Sequence, residues 1–492
     1  MEKGQRSPPS GHPNATTPRG KAISQTARLL KKLEKQFVRF HKMSTDQKMG
    51  YLKGNQFASF CTIESTRGGG LLYGLEGDSY FNELCEVIAK FSPDLKGKVG
   101  FDVAKKVVKD EFRQQFMINS VALDKAGAEL YLEAVVAALK SKCKKIVHNI
   151  PCIFFTGDSP DSFSVGPVSF IRMSVFLDGC QKSFKKYDWF DEDRRELVSS
   201  LEGRALDYYQ KFPWIASVEI NQCDFEISYK QAVFACQTAL NVVKVMFGAT
   251  HTNRFRLSTA ERGASNSARI WSVKGEEYEC ALSSSVASPH GPTNWYDYLN
   301  KDDGLYVKRF LGDVIEVSNG FFPHTELSAR LVDSINWFGD AVTESSDAAA
   351  IVKYVTAIER LYFGVQCQGM RKKFSSRIQR VLKDLEYEGE GKVFESASDV
   401  YKVRSTLVHG AISPSLGEVI LPLSKAEDLA RRCIISSVQI YALIHEVFRP
   451  ANAADFEAGM LKYEAEGIEW LSIMAAKLQS DRMERAEKVI PE

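Results

Sequence analysis

The sequence predicts a multidomain chain in which mixed α+β amino-terminal and middle regions are followed by an all-α helical bundle. Three observations lead there. The 492 residues suffice for roughly two to four domains. Near His148 helical spacing gives way to β-branched and aromatic runs broken by Gly, Asp, Ser and Pro. From Thr325 onward the apolar spacing is purely helical.

Taken in order, residues 1–24 are rich in Pro, Gly, Ser, Thr and basic residues and are expected to be a disordered tail. Residues 25–147 read as a mainly helical region. Its first helix, "ISQTARLLKKLEKQFVRFHKM", places Leu29, Leu30, Leu33, Phe37 and Phe40 at helical spacing. "RGGGLLYG" is expected to be a turn; it lacks the glycine and lysine pattern of a phosphate loop and that of a dinucleotide site. Helical patterns resume over 101–117 and 123–146. Residues 148–320 read as a middle α+β domain: two strands and a loop, a helix over 191–211, the strand "WIASVEI", a helix over 229–247, then strands and loops over 250–320.

Five helices with short links then make a bundle over 325–448. They are "TELSARLVDSINWFGDAV", "AAAIVKYVTAIERLYFG" closing on a capping Gly364, "MRKKFSSRIQRVLKDLEY", "ESASDVYKVRSTLVHG" and "SKAEDLARRCIISSVQIYALIHEVF". In the last, Ser424 and Glu427 have the spacing of a capping box, and Pro450 marks the stop. Residues 449–492 read as one more helix.

Composition narrows the function classes. Apolar content of 44% and charged content of 26% are ordinary for a globular protein. A net charge of +2 means that any nucleic-acid site must come from a local patch. The ten cysteines form no C-x-x-C pair. Cys143, His148 and Cys152 lie close together without a fourth ligand, so no closed zinc site is expected and no metal or other cofactor is called for. With no signal peptide and no apolar run long enough to span a bilayer, the expectation is a cytoplasmic protein with free thiols and no membrane partner.

"YKVRSTLVHG" puts Arg404 and His409 five residues apart at a helix end. Val400, Val403 and Leu407 form the core-facing stripe, and Arg404 lies beside it, with a stem that can pack and a head that can reach a groove. Five positions are about 140° around an ideal helix, so the two do not share a face as Ser405 and His409 do. The chemistry that wants an arginine and a histidine together is metal-independent phosphodiester cleavage. Histidine exchanges protons near neutral pH; arginine matches phosphate with a charged fork and stabilises the transition state. By spacing alone, a surface or carbonyl-capping role is equally compatible.

The segment 325–448, with "AIERLYFG" on an early helix, "KFSSRIQRVL" on the next and "YKVRSTLVHG" with its R-x4-H at a helix end, resembles the HEPN superfamily, and within it the ApeA-like branch of bacterial phage-defence proteins. The resemblance covers about a quarter of the chain. It implies a metal-independent endoribonuclease acting in antiviral defence or abortive infection, with RNA as substrate, a homodimer through the bundle lining one cleft with two Arg–His pairs, and a phage-derived trigger. Arg404 would bind phosphate and stabilise the transition state; His409 would be the general base or acid. Ser405 follows the arginine, where the family often has Asn, Asp or His, and cannot itself act as acid or base at neutral pH. Glu359 either orients Arg404 by a charge-assisted hydrogen bond or is a solvated carboxylate. Arg371, Lys372, Lys373, Arg377 and Arg380 form a basic cluster; Lys373, Arg377 and Arg380 share a helical face that either contacts an RNA backbone or is solvated. The same two readings apply to "KSKCKK" (140–145) and "KSFKK" (182–186). Of the other histidines, His12, His41, His148, His251, His290, His324 and His445 have no comparable context. The rival functions are a HEPN module that binds RNA or dimerises without cutting, and the toxin of a toxin–antitoxin pair.

Overall fold

The computed structural model describes residues 17–54, 61–64, 70–157, 159–180, 191–258, 266–271, 279–284, 292, 294–318, 325–365, 369–384, 390–411 and 420–487. His12, His290, His324 and the 182–186 basic stretch lie outside them, as do the first sixteen residues of the expected tail. The chain forms two compact units, one of residues 1–146 with 221–230, the other of 147–220 with 231–492.

In the first unit, helix α1 (Pro18–Lys42) begins inside the stretch expected to be disordered. Its start has a local cause: the Thr17 hydroxyl accepts the Gly20 N–H at 3.1 Å, and Pro18 occupies the first helical turn, where its missing N–H costs nothing. Leu29, Leu30, Leu33 and Phe40 are buried, as the spacing predicts. Helix α2 (Thr45–Gly54) follows, then strands β1 (Cys61–Glu64) and β2 (Gly70–Tyr73), antiparallel with Cys61 opposite Tyr73. The expected "RGGGLLYG" turn thus ends in a strand, because Leu71–Tyr73 pair with β1; residues 67–69 lie outside the described set. Helices α3 (Leu75–Phe91), α4 (Phe101–Phe112) and α5 (Lys125–Lys142) complete this unit's core, with a π-helical stretch over Arg113–Ile118.

In the second unit a sheet of order β4-β5-β6-β3-β7 is made from β3 (Lys144–Ile153, whose first residues belong to the first unit), β4 (Ser162–Val165), β5 (Val168–Arg172), β6 (Trp214–Cys223) and β7 (Arg256–Leu257). Phe163 on β4 faces Phe170 on β5, and both stack into an aromatic cluster with Phe154, Trp214 and Trp295. Helices α6 (Met173–Cys180) and α7 (Glu192–Tyr209) lie between β5 and β6 in the chain; α8 (Phe225–Phe247) and the short α9 (Ala249–Thr252) precede β7. Strands β8 (Asn266–Trp271) and β9 (Glu279–Ser284) form a separate antiparallel pair. The region expected to be strands and loops up to 320 ends instead in helices α10 (Trp295–Asn300), α11 (Asp302–Asp313) and α12 (Ile315–Ser318), because Trp295, Leu299, Leu311 and Ile315 recur at helical spacing and are buried.

The bundle helices are α13 (Glu326–Val342), α14 (Asp347–Tyr362), α15 (Met370–Lys383), α16 (Glu390–Val408) and α17 (Ile420–Phe448). Their core is continuous with that of the sheet, so the boundary drawn near residue 320 does not separate two cores. Thr325 caps α13 through a reciprocal box with Ser328. Three expectations need correction. The Ser424–Glu427 capping box does not form, because α17 already starts at Ile420; the Glu427 carboxylate instead accepts the Ala249 N–H at 2.6 Å, capping α9. Gly364 is not a left-handed cap. It is small for another reason: a Cβ there would stand 2.3 Å from the Ala453 carbonyl, and its N–H donates to Glu457 at 2.8 Å. Finally, the stretch expected to be one more helix after residue 449 holds two among its described residues, α18 (Ala453–Glu466) and α19 (Ile468–Glu487), separated by Gly467 at φ +87°. Among the described residues no helix is long and apolar enough to cross a membrane.

Candidate active site

Helix α16 ends at Val408 in a way that its sequence explains. Gly410 is left-handed at φ +71°, the Ala411 N–H donates to the Thr406 carbonyl at 2.8 Å, and the Gly410 N–H donates to the Leu407 carbonyl at 3.1 Å. These two bonds are a Schellman motif, with His409 as the C-cap. The imidazole is therefore set at the exposed end of the helix by a backbone turn that glycine makes inexpensive.

Arg404 lies one turn earlier. Its Nη2 donates to Glu359 Oε2 on α14 at 3.0 Å, with the two side chains 24% and 19% exposed. Of the two readings open for Glu359, the one in which it orients Arg404 matches this geometry. The guanidinium also lies 5.7 Å from the Tyr401 ring. Its Nε is buried and has no hydrogen-bond partner among the described residues, an arrangement that costs free energy.

Arg404, Ser405 and His409 line one open cleft of about 750 Å³, together with Arg371 and Lys372. The gap of five positions is bridged because the C-cap turns away from ideal helical geometry. Across the cleft, the uncapped first turn of α15 begins at a left-handed Gly369, presenting the positive end of its dipole. Arg371 Nε donates to the Ser398 carbonyl at 3.2 Å and to its hydroxyl at 2.9 Å, tying α15 to α16. Among the described residues that line this cleft none is a carboxylate. Gly369, Met370, Phe394, Ser398 and Tyr401 are lining residues that sequence reasoning missed; Tyr401 stands three positions before Arg404, a spacing that was available as a signal.

The rest of the basic cluster does not join the cleft. Arg377 is fully buried: its Nε donates to Glu464 at 2.7 Å, Nη2 to Glu457 at 2.9 Å and Nη1 to the Tyr362 carbonyl at 2.5 Å. Lys373 pairs with Glu457 at 2.5 Å and Arg380 with Asp384 at 3.1 Å. The expectation that Arg377 contacts RNA is therefore corrected; α18 brings two carboxylates onto that face and turns it into an internal ion-pair network. Burial alone would raise the Glu457 carboxyl, but hydrogen bonds from Arg377, Lys373 and the Gly364 N–H bring it down to about 2.

Elsewhere, His148 is buried on β3, and His41, His251 and His445 are exposed at helix ends. In "KSKCKK", Lys140 pairs with Asp94 at 2.9 Å. Among the described residues no group of three or more His, Cys, Asp or Glu could hold a metal ion. Comparison of the chain with protein-family models, curated proteins and solved structures finds no match.

Proposed function

We propose that the protein is a metal-independent endoribonuclease of HEPN type, with Arg404 and His409 as its reacting groups. The observation that supports this best is a cleft that brings together Arg404, anchored by Glu359, with His409 and two further cations, and has no carboxylate among its described lining residues. A phosphodiester anion suits that site: its oxygens accept from the guanidinium, while Glu359 holds the Nη2 end in place.

In this reading neutral His409 takes the proton of the ribose 2′-hydroxyl, whose oxygen attacks the adjacent phosphorus. The phosphorus–O5′ bond breaks, the leaving 5′-oxygen is protonated by a second group, and a 2′,3′-cyclic phosphate remains. Arg404 stabilises the added charge of the transition state. Among the described residues a single chain places one histidine in the cleft. A second copy, joined through the bundle, supplies the other as the acid. Arg371 and Lys372 hold the flanking phosphates. The biological setting that goes with this reading is defence by RNA cleavage after a phage-derived trigger.

The test is incubation of the purified protein with total RNA in EDTA, alone and with lysate of phage-infected cells, beside Arg404→Ala and His409→Ala proteins of unchanged fold. Cleavage by the unaltered protein alone, leaving 2′,3′-cyclic ends, supports the proposal. RNA binding without cleavage under both conditions leaves the non-catalytic module. Cleavage suppressed by a product of an adjacent gene favours the toxin.

A further inference from the structure

Lys244 lies on α8 in the second unit, only 1% exposed. Its Nζ donates to the Gly339 carbonyl at 3.1 Å and forms no ion pair among the described residues. A buried ammonium bonded to a carbonyl rather than paired with a carboxylate is a costly arrangement. This one is not sealed in the core. It lines a cleft of about 490 Å³, apart from the Arg404 site, together with Arg256, Asn253, Asp340, Glu344 and Lys353.

The charges in this cleft are unevenly matched. Lys353 is held by Glu344 at 2.7 Å. Arg256, on the short strand β7, has no hydrogen bond or ion pair for its guanidinium among the described residues. Asp340 is exposed and forms no ion pair with either cation. Two cations, one buried and one partly exposed, thus line the same space, which falls within the range of small-molecule sites. Burial brings the Lys244 ammonium down to about 8, with Asp340 partly opposing this, so the group stays mostly charged at neutral pH. The amide of Asn253 and the hydroxyl of Thr343 add neutral hydrogen-bonding groups to the wall.

We propose that this cleft binds a phosphorylated small molecule of about nucleotide size, its phosphate seated between Lys244 and Arg256. A phosphate carries close to two negative charges near neutral pH and offers several acceptor oxygens. That matches a planar guanidinium and an ammonium better than the single charge of a carboxylate does. The remaining volume and the polar wall accommodate the rest of the ligand.

The experiment uses the full-length protein and three probes at fixed ionic strength: inorganic phosphate, a set of nucleoside monophosphates, and acetate. Melting temperature and calorimetric titration are recorded for the unaltered chain, for Arg256→Gln at the mouth and for Lys244→Met, which keeps the length of the side chain. Saturable stabilisation by phosphate or a nucleotide, weakened about tenfold or more in both variants, is the expected result. Absence of any saturable effect of the phosphorylated probes, equal binding by the Arg256→Gln protein, or a preference for acetate would each overturn the proposal. Because the cleft shares no lining residue with the Arg404 site, these outcomes do not depend on RNA cleavage.

Discussion

Arg404 and Arg377 show how two arginines on successive helices acquire opposite fates. Both adjoin an apolar stripe. Among the described residues Arg404 meets one carboxylate, Glu359, and its Nε has no partner; Arg377 meets two and a carbonyl, and is saturated. If Glu359 orients Arg404 for a phosphate, Glu359→Gln should lower kcat for RNA cleavage by about tenfold, as expected for one charge-assisted contact made weaker. KM should change little. Steady-state kinetics on a short RNA check this, and an unchanged kcat would mean that the carboxylate is not needed for positioning. His409 depends on its neighbour instead. Gly410→Ala forces a Cβ into a left-handed backbone at a cost of about 1–2 kcal/mol. The expected outcome is a small fall in melting temperature with a larger fall in kcat, because the cap that sets His409 is the part that loosens.

At the scale of elements, the pairing of α15 with α18 is the feature with the clearest pH signature. Glu457 is held at about 2, below the ordinary carboxylate value of 4.5. A depressed folded-state value means that the stabilisation is complete above about 4.5 and is lost as the pH falls towards about 2. Melting temperature followed from pH 7 downward should therefore fall in that window. Glu457→Gln should melt lower at pH 7 and lose part of the slope; an identical acid profile would remove Glu457 from the account. The expected helices of the bundle were legible because Leu331, Ile335 and Phe338, like Val400 and Val403, follow helical spacing that any solvent-facing helix must obey to bury one side. The start of α17 and the role of Glu427 were not legible. The residues just before Ser424 are apolar enough to extend the helix, and the Ala249 N–H that Glu427 caps lies 178 residues away.

For the whole molecule, the two units each have their own hydrophobic core, and the sheet and bundle share the second. The sequence texture that separates 148–320 from 325–448 is real as a change in secondary structure. It is not a boundary between cores, because α8 and α13 bond through Thr238, Asn241 and Asn336. If cleavage needs two copies to provide both base and acid, specific activity should rise with protein concentration and level off as dimers form. Mixing active chains with inactive His409→Ala chains should then depress activity more than dilution alone. Activity strictly proportional to concentration down to the lowest measurable level would argue for a site complete in one chain.

The sequence by itself determined that 325–448 is a series of helices and where α16 stops, since an apolar period of 3.6 residues and a glycine after its last turn are properties of a few adjacent residues. It also singled out Arg404 and His409 as a pair with chemistry in common. Only the tertiary structure decided which cations are available to a ligand. Arg377 lost that status to Glu457, 80 residues away, and Arg404 gained its orientation from Glu359, 45 residues away. Lys244 became a candidate ligand contact only when packing buried it beside a cleft, bonded to the Gly339 carbonyl and in no ion pair among the described residues. The physical reason is the same in each case: backbone conformation is set by short-range sterics and hydrogen bonds, whereas the state of a charge is set by whatever the fold brings within a few ångströms of it.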